Sequence, residues 1–184
     1  MDIIHDNAAD LSALNGKTVA VIGYGAQGRA QALCMRDSGV NVIIGVRPGK
    51  SFDAATQDGF QVMTVAEAAD KADIIHILLP DESHGSVYEA EIKPHLKAGK
   101  TLCCSHGFAY VFNTIVPPAD VDVIMVAPKG PGTEVRRVFE EGFGCPGLIA
   151  VHQNPSGKAR DVALSYAMAN GGGKGGIIET NFKE

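Results

Sequence analysis

The stretch TVAVIGYGAQGRAQALC, Thr18 to Cys34, decides the fold. Its first five residues are a β-branched and apolar run with no polar alternation, the pattern of a strand covered on both faces. Three glycines follow at Gly23, Gly25 and Gly28, in the spacing G-x-G-x-x-G. The run from Gln27 to Ser38 then carries Ala30, Leu33 and Cys34 on one helical face and ends at Gly39, a residue suited to a helix C-terminus. The glycine pattern alone is weak, but between a strand and a helix it reads as a dinucleotide-binding turn. Gly23 allows the tight turn, Gly25 lets backbone approach a pyrophosphate, and Gly28 lets helix pack on strand. The N–H groups of Ala26 and Gln27 open the helix and point at the phosphates.

Working outward, further apolar runs recur at 41–46, 60–63, 73–79, 101–104, 121–127, 147–151 and 176–180, with helical stretches between them. This alternation predicts an α/β fold, a doubly wound and mainly parallel sheet with helices on both faces. Thr64 and Glu67 form a T-x-x-E capping box that opens a helix. Pro155 and Ser156 are expected to open the last helix, which runs through ARDVALSYAMA. The glycine-rich NGGGKGG at 170–176 reads as a flexible turn between helix and strand. With 184 residues and no long linker, the chain reads as one domain, 1–184.

The net charge of −5 and a pI near 5.6 argue against a nucleic-acid or anionic-membrane surface. The amino terminus MDIIHDNAAD lacks a basic n-region, and no apolar run approaches the ~20 residues of a membrane span, so a cytoplasmic protein is expected. The four cysteines, at 34, 103, 104 and 145, lack metal-ligand spacing and read as reduced, buried thiols. Cys103 and Cys104 are adjacent on a strand and should face opposite sides of the sheet. No metal site is expected among these residues.

Where many such domains place an acid at the end of the second strand, this chain has Arg47, 24 positions after Gly23, with Lys50 and Ser51 close behind in what reads as a short loop. An acid there binds a ribose 2′-hydroxyl, whereas a guanidinium accommodates a 2′-phosphate. The rigid fork of Arg47, the point charge of Lys50 and the hydroxyl of Ser51 together indicate NADP.

Ligands of open α/β sheets bind beyond the carboxyl ends of the strands. Asp81, Glu82, Ser83 and His84 follow the fourth run, Ser105 and His106 the fifth, and Lys129 to Gly132 the sixth, so all should gather on one rim. His76 and His152 lie in or just after strands and read as structural. His5 and His95 read as surface residues, which leaves His84 and His106 near the cofactor.

The segments DLSALNGKTVAVIGYGAQGRAQAL, ILLPDESH, SHGF, VPPADVDVIMVAPKGPGTEVRR and LIAVHQNPSGKARDVALSYA resemble the amino-terminal domain of ketol-acid reductoisomerases, from about Asp10 to Glu184. SHGF and VAPKGPG are far more specific than the glycine motif. The resemblance implies that Tyr24, Gly25, Ala26 and Gln27 hold the pyrophosphate region and that Arg47 and Ser51 hold the 2′-phosphate. It implies that Asp81 to His84 and Gly132 line the rest of the cofactor, and that His106 and Lys129 stand near the reacting groups. RPGKSF is one residue shorter than the common RPGSKSW form, which puts Lys50 in line to replace a serine contact. The wall after SHGF also departs from the usual pattern.

The family's reaction, as the resemblance implies it, converts 2-acetolactate or 2-aceto-2-hydroxybutyrate to 2,3-dihydroxy acids, with NADPH and two magnesium ions, in valine, leucine and isoleucine biosynthesis. The ions are held by an all-helical, knotted domain that follows a segment like IIETNFKE in the family and is absent from these 184 residues. The expectation is therefore a domain that binds NADPH but is catalytically incomplete alone. The parent enzyme would form dimers or larger assemblies, and this portion would be monomeric. Two other readings are another NADP-dependent dehydrogenase domain and a stand-alone NADP-binding or sensing module.

Overall fold

The glycine turn lies between the second strand and the first helix of a nine-stranded sheet, in a computed structural model that describes residues 2–6 and 10–184. In chain order the strands are β1 (Ile3–Ile4), β2 (Thr18–Ile22), β3 (Asn41–Gly45), β4 (Gln61–Met63), β5 (Ile74–Ile77), β6 (Thr101–Cys104), β7 (Asp122–Pro128), β8 (Gly147–Gln153) and β9 (Ile177–Glu179). The helices are α1 (Ala26–Asp37), α2 (Lys50–Gln57), α3 (Val65–Lys71), α4 (Asp81–Val87), α5 (Phe108–Val111), α6 (Gly132–Glu140), α7 (Ala159–Ala169) and α8 (Gly172–Gly175). The sheet order is β1-β9-β8-β7-β6-β5-β2-β3-β4. Its section β4-β3-β2-β5-β6-β7 is parallel throughout and has the 3-2-1-4-5-6 order of a dinucleotide-binding sheet.

The order reverses between β2 and β5, which both start from the middle of the sheet and run side by side. Their helical connections, α1 after β2 and α4 after β5, leave in opposite directions along the sheet and open a crevice at the strand ends. The two faces carry separate cores. Val19, Val21, Cys103 and Tyr166 share one, and Ala20, Ile22, Cys104 and Tyr88 share the other. Cys103 and Cys104 thus alternate across the sheet as the strand period requires, and all four cysteines are buried free thiols. Burial pushes the Cys34 thiol up to about 11.

Several local signals hold. Helix α1 ends at Asp37 with Gly39 at φ +88°, and Thr64 and Glu67 exchange the two hydrogen bonds of a capping box ahead of α3. Others shift. Strand β8 runs antiparallel to β7, pairing Pro128 with Gly147. The reason is the connection: α6 and the turn after it end at the same edge where β7 ends, and Lys129 N–H donates to the Pro146 carbonyl at 2.8 Å. Chain that has not crossed back over the sheet can only re-enter it in reverse. A short β1 pairs antiparallel with β9, which the acidic amino terminus did not announce.

The last long helix begins at Ala159 rather than at Pro155. Asn154 Oδ1 accepts the Ala159 N–H at 3.0 Å and spans a turn through Pro155, Ser156 and Gly157. NGGGKGG is not a loose turn. It holds the single helical turn α8, and Gly171, Gly172 and Gly173 are buried, with neighbouring backbone and side chains close to where a Cβ would sit.

Candidate functional site

A cleft of about 760 Å³ opens at the reversal between β2 and β5. Its floor is the glycine turn. Gly23 has φ +100°, a conformation that strains any side chain, and a Cβ there would lie 2.5 Å from the Leu78 carbonyl oxygen of the neighbouring strand end. A Cβ on Gly28 would collide with the Gly23 carbonyl, so α1 sits directly against the turn. Gly25 differs: nothing lies within 4 Å of where its Cβ would be. Bare backbone therefore faces the open cleft, and the N-terminal N–H groups of α1 beside it have no helical partners. The unfilled space, the free donors and the positive end of the helix fit a pyrophosphate.

Ala26, Gln27 and Gly28 line the same floor. Two side chains of the motif are engaged elsewhere. Gln27 Nε2 donates to the Gly130 carbonyl at 2.7 Å, and the buried Tyr24 hydroxyl donates to Asp58 Oδ2 at 2.7 Å. Burial, reinforced by Asp58, raises the Tyr24 phenol, while Arg29 holds the Asp58 carboxyl below its usual range.

At one end of the cleft stand Arg47, Pro48, Gly49, Lys50 and Ser51. Lys50 and Ser51 are not in a loop: they form the first turn of α2, behind Gly49 as cap. Their position adds the free N–H groups of a second helix N-terminus to the two cations, a signal hidden in KSFDAATQ by its weak apolar pattern. The Arg47 side chain is 77% exposed and makes one ion pair, Nη2 to Glu91 Oε1 at 3.6 Å.

At the other end His84 and His106 line the cleft with parallel rings, centroids 5.6 Å apart. His84 Nε2 lies 2.7 Å from the Leu79 carbonyl, so that nitrogen carries the proton and donates it. His106 Nε2 lies 2.9 Å from Asp81 Oδ1. Asp81, His84 and His106 present three potential ligand atoms within 4.8 Å of one another, the grouping among the described residues that could hold a metal ion. Two imidazoles and one carboxylate do not match the oxygen-rich shell that magnesium prefers.

Beneath this end lies a buried polar chain that sequence reasoning missed. Ser105 Oγ donates to the Val126 carbonyl at 3.0 Å, so it accepts from His76 Nε2 at 3.0 Å. His76 Nδ1 must then accept from the Tyr166 hydroxyl at 2.6 Å. Burial lowers His76 to about 3, keeping it neutral, and the chain ties the ends of β5, β6 and β7 to α7. Only the strand position of His76 hinted at its structural part.

The rim residues divide by helical period. Ser83 and His84 face the cleft, whereas Asp81 and Glu82 are exposed outside its lining. Lys129 is exposed at the end of β7 and also lies outside the lining. Gly132 is buried against the glycine turn, where a Cβ would collide with the Ala26 carbonyl. Of the remaining histidines, His5 and His152 are exposed, with His152 against Phe182, and His95 is half-buried beside Asp70.

A parallel sheet section with this strand order, a phosphate-fitting glycine turn at the reversal and a cation pair at the next strand end define a dinucleotide-binding domain. Residues 13–176 match the family described as acetohydroxy acid isomeroreductase, NADPH-binding domain, and the chain belongs to that family. It is 93% identical over 179 residues to the ketol-acid reductoisomerase (NADP(+)) of Akkermansia muciniphila, covering 97% of this chain and 55% of that protein. It is 56% identical over 190 residues to the ketol-acid reductoisomerase (NAD(+)) of the uncultured archaeon GZfos26G2, covering 100% of this chain and 57% of that protein. A solved NADH-preferring ketol-acid reductoisomerase from an uncultured archaeon superposes with a TM-score of 0.96 at 57% identity, over 100% of this chain and 57% of that one. The chain therefore spans about half the length of the relatives it matches. Among the described residues, no helix is long and apolar enough to cross a membrane.

Proposed function

We propose that this chain is the NADPH-binding part of a ketol-acid reductoisomerase, an enzyme that isomerises and reduces 2-acetolactate or 2-aceto-2-hydroxybutyrate in branched-chain amino-acid biosynthesis. The observation that carries the reading is the cleft itself, with open backbone at Gly25 in its middle, cations at Arg47 and Lys50 at one end, and His106 at the other. The N–H groups of Ala26 and Gln27 bind the pyrophosphate. Arg47, Lys50 and Ser51 bind the 2′-phosphate, with the α2 N-terminus behind them. Ser83 and His84 line the nicotinamide half, with Asp81 and Glu82 at its outer rim, and Gly132, packed on Ala26, borders the cofactor beside the glycine turn.

NADPH supplies the hydride of the reduction. His106, held at Nε2 by Asp81, presents its other ring nitrogen for proton transfer at the reacting end. Lys129, exposed at the neighbouring strand end, supplies a positive charge to substrate oxygens. Asp81, His84 and His106 do not offer the oxygen-rich shell that magnesium prefers, and we assign the magnesium chemistry of the family's reaction to residues outside this chain. The whole enzyme is proposed to be a cytoplasmic homo-oligomer, and these 184 residues alone a monomer.

The test is a pair of assays. The 184 residues alone should bind NADPH yet show no magnesium-dependent turnover of 2-acetolactate. Joined to the carboxy-terminal part of the Akkermansia muciniphila enzyme, they should turn it over. Turnover by the pure 184 residues would overturn the incomplete-domain reading, and an inactive but NADPH-binding fusion would overturn the assignment of activity.

A further inference from the structure

The two named relatives differ in the cofactor their names carry, NADP(+) for one and NAD(+) for the other, so membership of the family does not by itself fix which dinucleotide this cleft prefers. The Arg47 guanidinium, the largest cationic group at the 2′ end, is already engaged by a carboxylate that is not part of its own strand or loop. Glu91 Oε1 lies 3.6 Å from Arg47 Nη2, and its side chain is 28% exposed against 77% for Arg47. The less exposed partner is the acid, so it is the better fixed of the two.

The helical run that carries Glu91 explains why. Ser86 and Val87 of α4 line the cleft, and the run continues as one π-helical turn, Tyr88–Ile92. Tyr88 and Ile92 are fully buried, and the Tyr88 hydroxyl donates to the Val116 carbonyl at 3.1 Å. This anchors both ends of the turn in the core. A π turn adds a residue to the helical period and so changes the direction of the side chains it carries, a device found often at functional sites. Its other outer acid, Glu89, pairs with Lys93 at 2.8 Å along the helix, whereas Glu91 pairs with Arg47, a residue of the cleft lining.

We propose that Glu91 is a specificity-determining residue: it holds Arg47 in the free cleft and opposes a 2′-phosphate there, so that it lowers the preference for NADPH over NADH. The inference rests on the reading of Arg47 as the 2′-phosphate residue. A dianionic phosphate arriving at Arg47 must displace the carboxylate or sit beside it, and either is unfavourable. A 2′-hydroxyl carries no charge and meets neither penalty. The interaction is partly exposed, which limits its size to the modest range of surface ion pairs.

The test is calorimetric titration of NADPH and NADH into the 184-residue chain, comparing wild type, Glu91→Gln, Arg47→Ala and the double variant at low and physiological salt. Glu91→Gln should bind NADPH about 3- to 10-fold more tightly, with NADH changed by less than about twofold, and the gain should shrink with salt. In the Arg47→Ala background the same substitution should leave NADPH binding unchanged or raise it by a smaller factor. An unchanged NADPH-to-NADH ratio in Glu91→Gln, while Arg47→Ala still abolishes NADPH preference, overturns the role of Glu91 and leaves the Arg47 reading standing. If Arg47→Ala has no effect on the ratio, the Arg47 reading fails and the proposal falls with it.

Discussion

Gly132, at the start of α6, lies so close to Ala26, at the start of α1, that a Cβ on Gly132 would overlap the Ala26 carbonyl group and press on the Gln27 nitrogen. The two residues are distant in sequence, and their contact fixes the phosphate-facing backbone. Gly132→Ala should therefore lower stability by about 1–3 kcal/mol, through overpacking against backbone that cannot yield. It should also weaken NADPH binding by displacing the Ala26 and Gln27 N–H groups. Urea unfolding and titration check the two effects, and a variant with wild-type stability would show that the contact is not tight.

Gly25 supplies the complementary case. Its φ of −77° suits any residue, and nothing lies within 4 Å of a Cβ there. Gly25→Val should leave the melting temperature within a few degrees of wild type while reducing dinucleotide affinity by more than about tenfold, because the side chain would fill the space left for the pyrophosphate. Unimpaired binding would place the phosphates elsewhere.

The buried His76 makes a prediction about pH. Its native pKa, lowered by burial to about 3, lies below the ordinary 6.5. Between those values the unfolded chain takes up a proton that the native chain refuses. The stability linked to this group is thus fully present above about pH 6.5 and is lost progressively as pH falls toward 3. Relative to His76→Gln, the wild-type chain should lose about 2 kcal/mol of its advantage between pH 7.5 and 5.0, measured by urea unfolding at both. Parallel pH dependence of the two proteins would mean that His76 is charged in the native state or reached by water.

What the sequence made legible was local. TVAVI followed by GYGAQG is read within a dozen neighbours, and Arg47 falls at a strand end whose length its own residues set. The capping box at Thr64 and Glu67 is likewise a matter of three positions. What it hid depends on where distant segments meet. The reversed direction of β8 follows from where α6 lies, not from the apolar run GLIAV, which fits either direction. His106 meets Asp81, Arg47 meets Glu91, and His76 meets Tyr166 across separations that no periodicity records. The resemblance puts Gly132 along the cofactor, but its close packing on Ala26 joins two helix starts that no local pattern connects.

The cations at the end of β3 are proposed to read a 2′-phosphate. The most direct test is titration of the chain with NADPH and with NADH, for wild type and for Arg47→Ser. Wild type should bind NADPH about tenfold or more tightly than NADH, and Arg47→Ser should remove most of that preference by weakening NADPH alone. Equal affinity of the wild-type chain for the two dinucleotides, or a preference that survives the loss of Arg47, would contradict it.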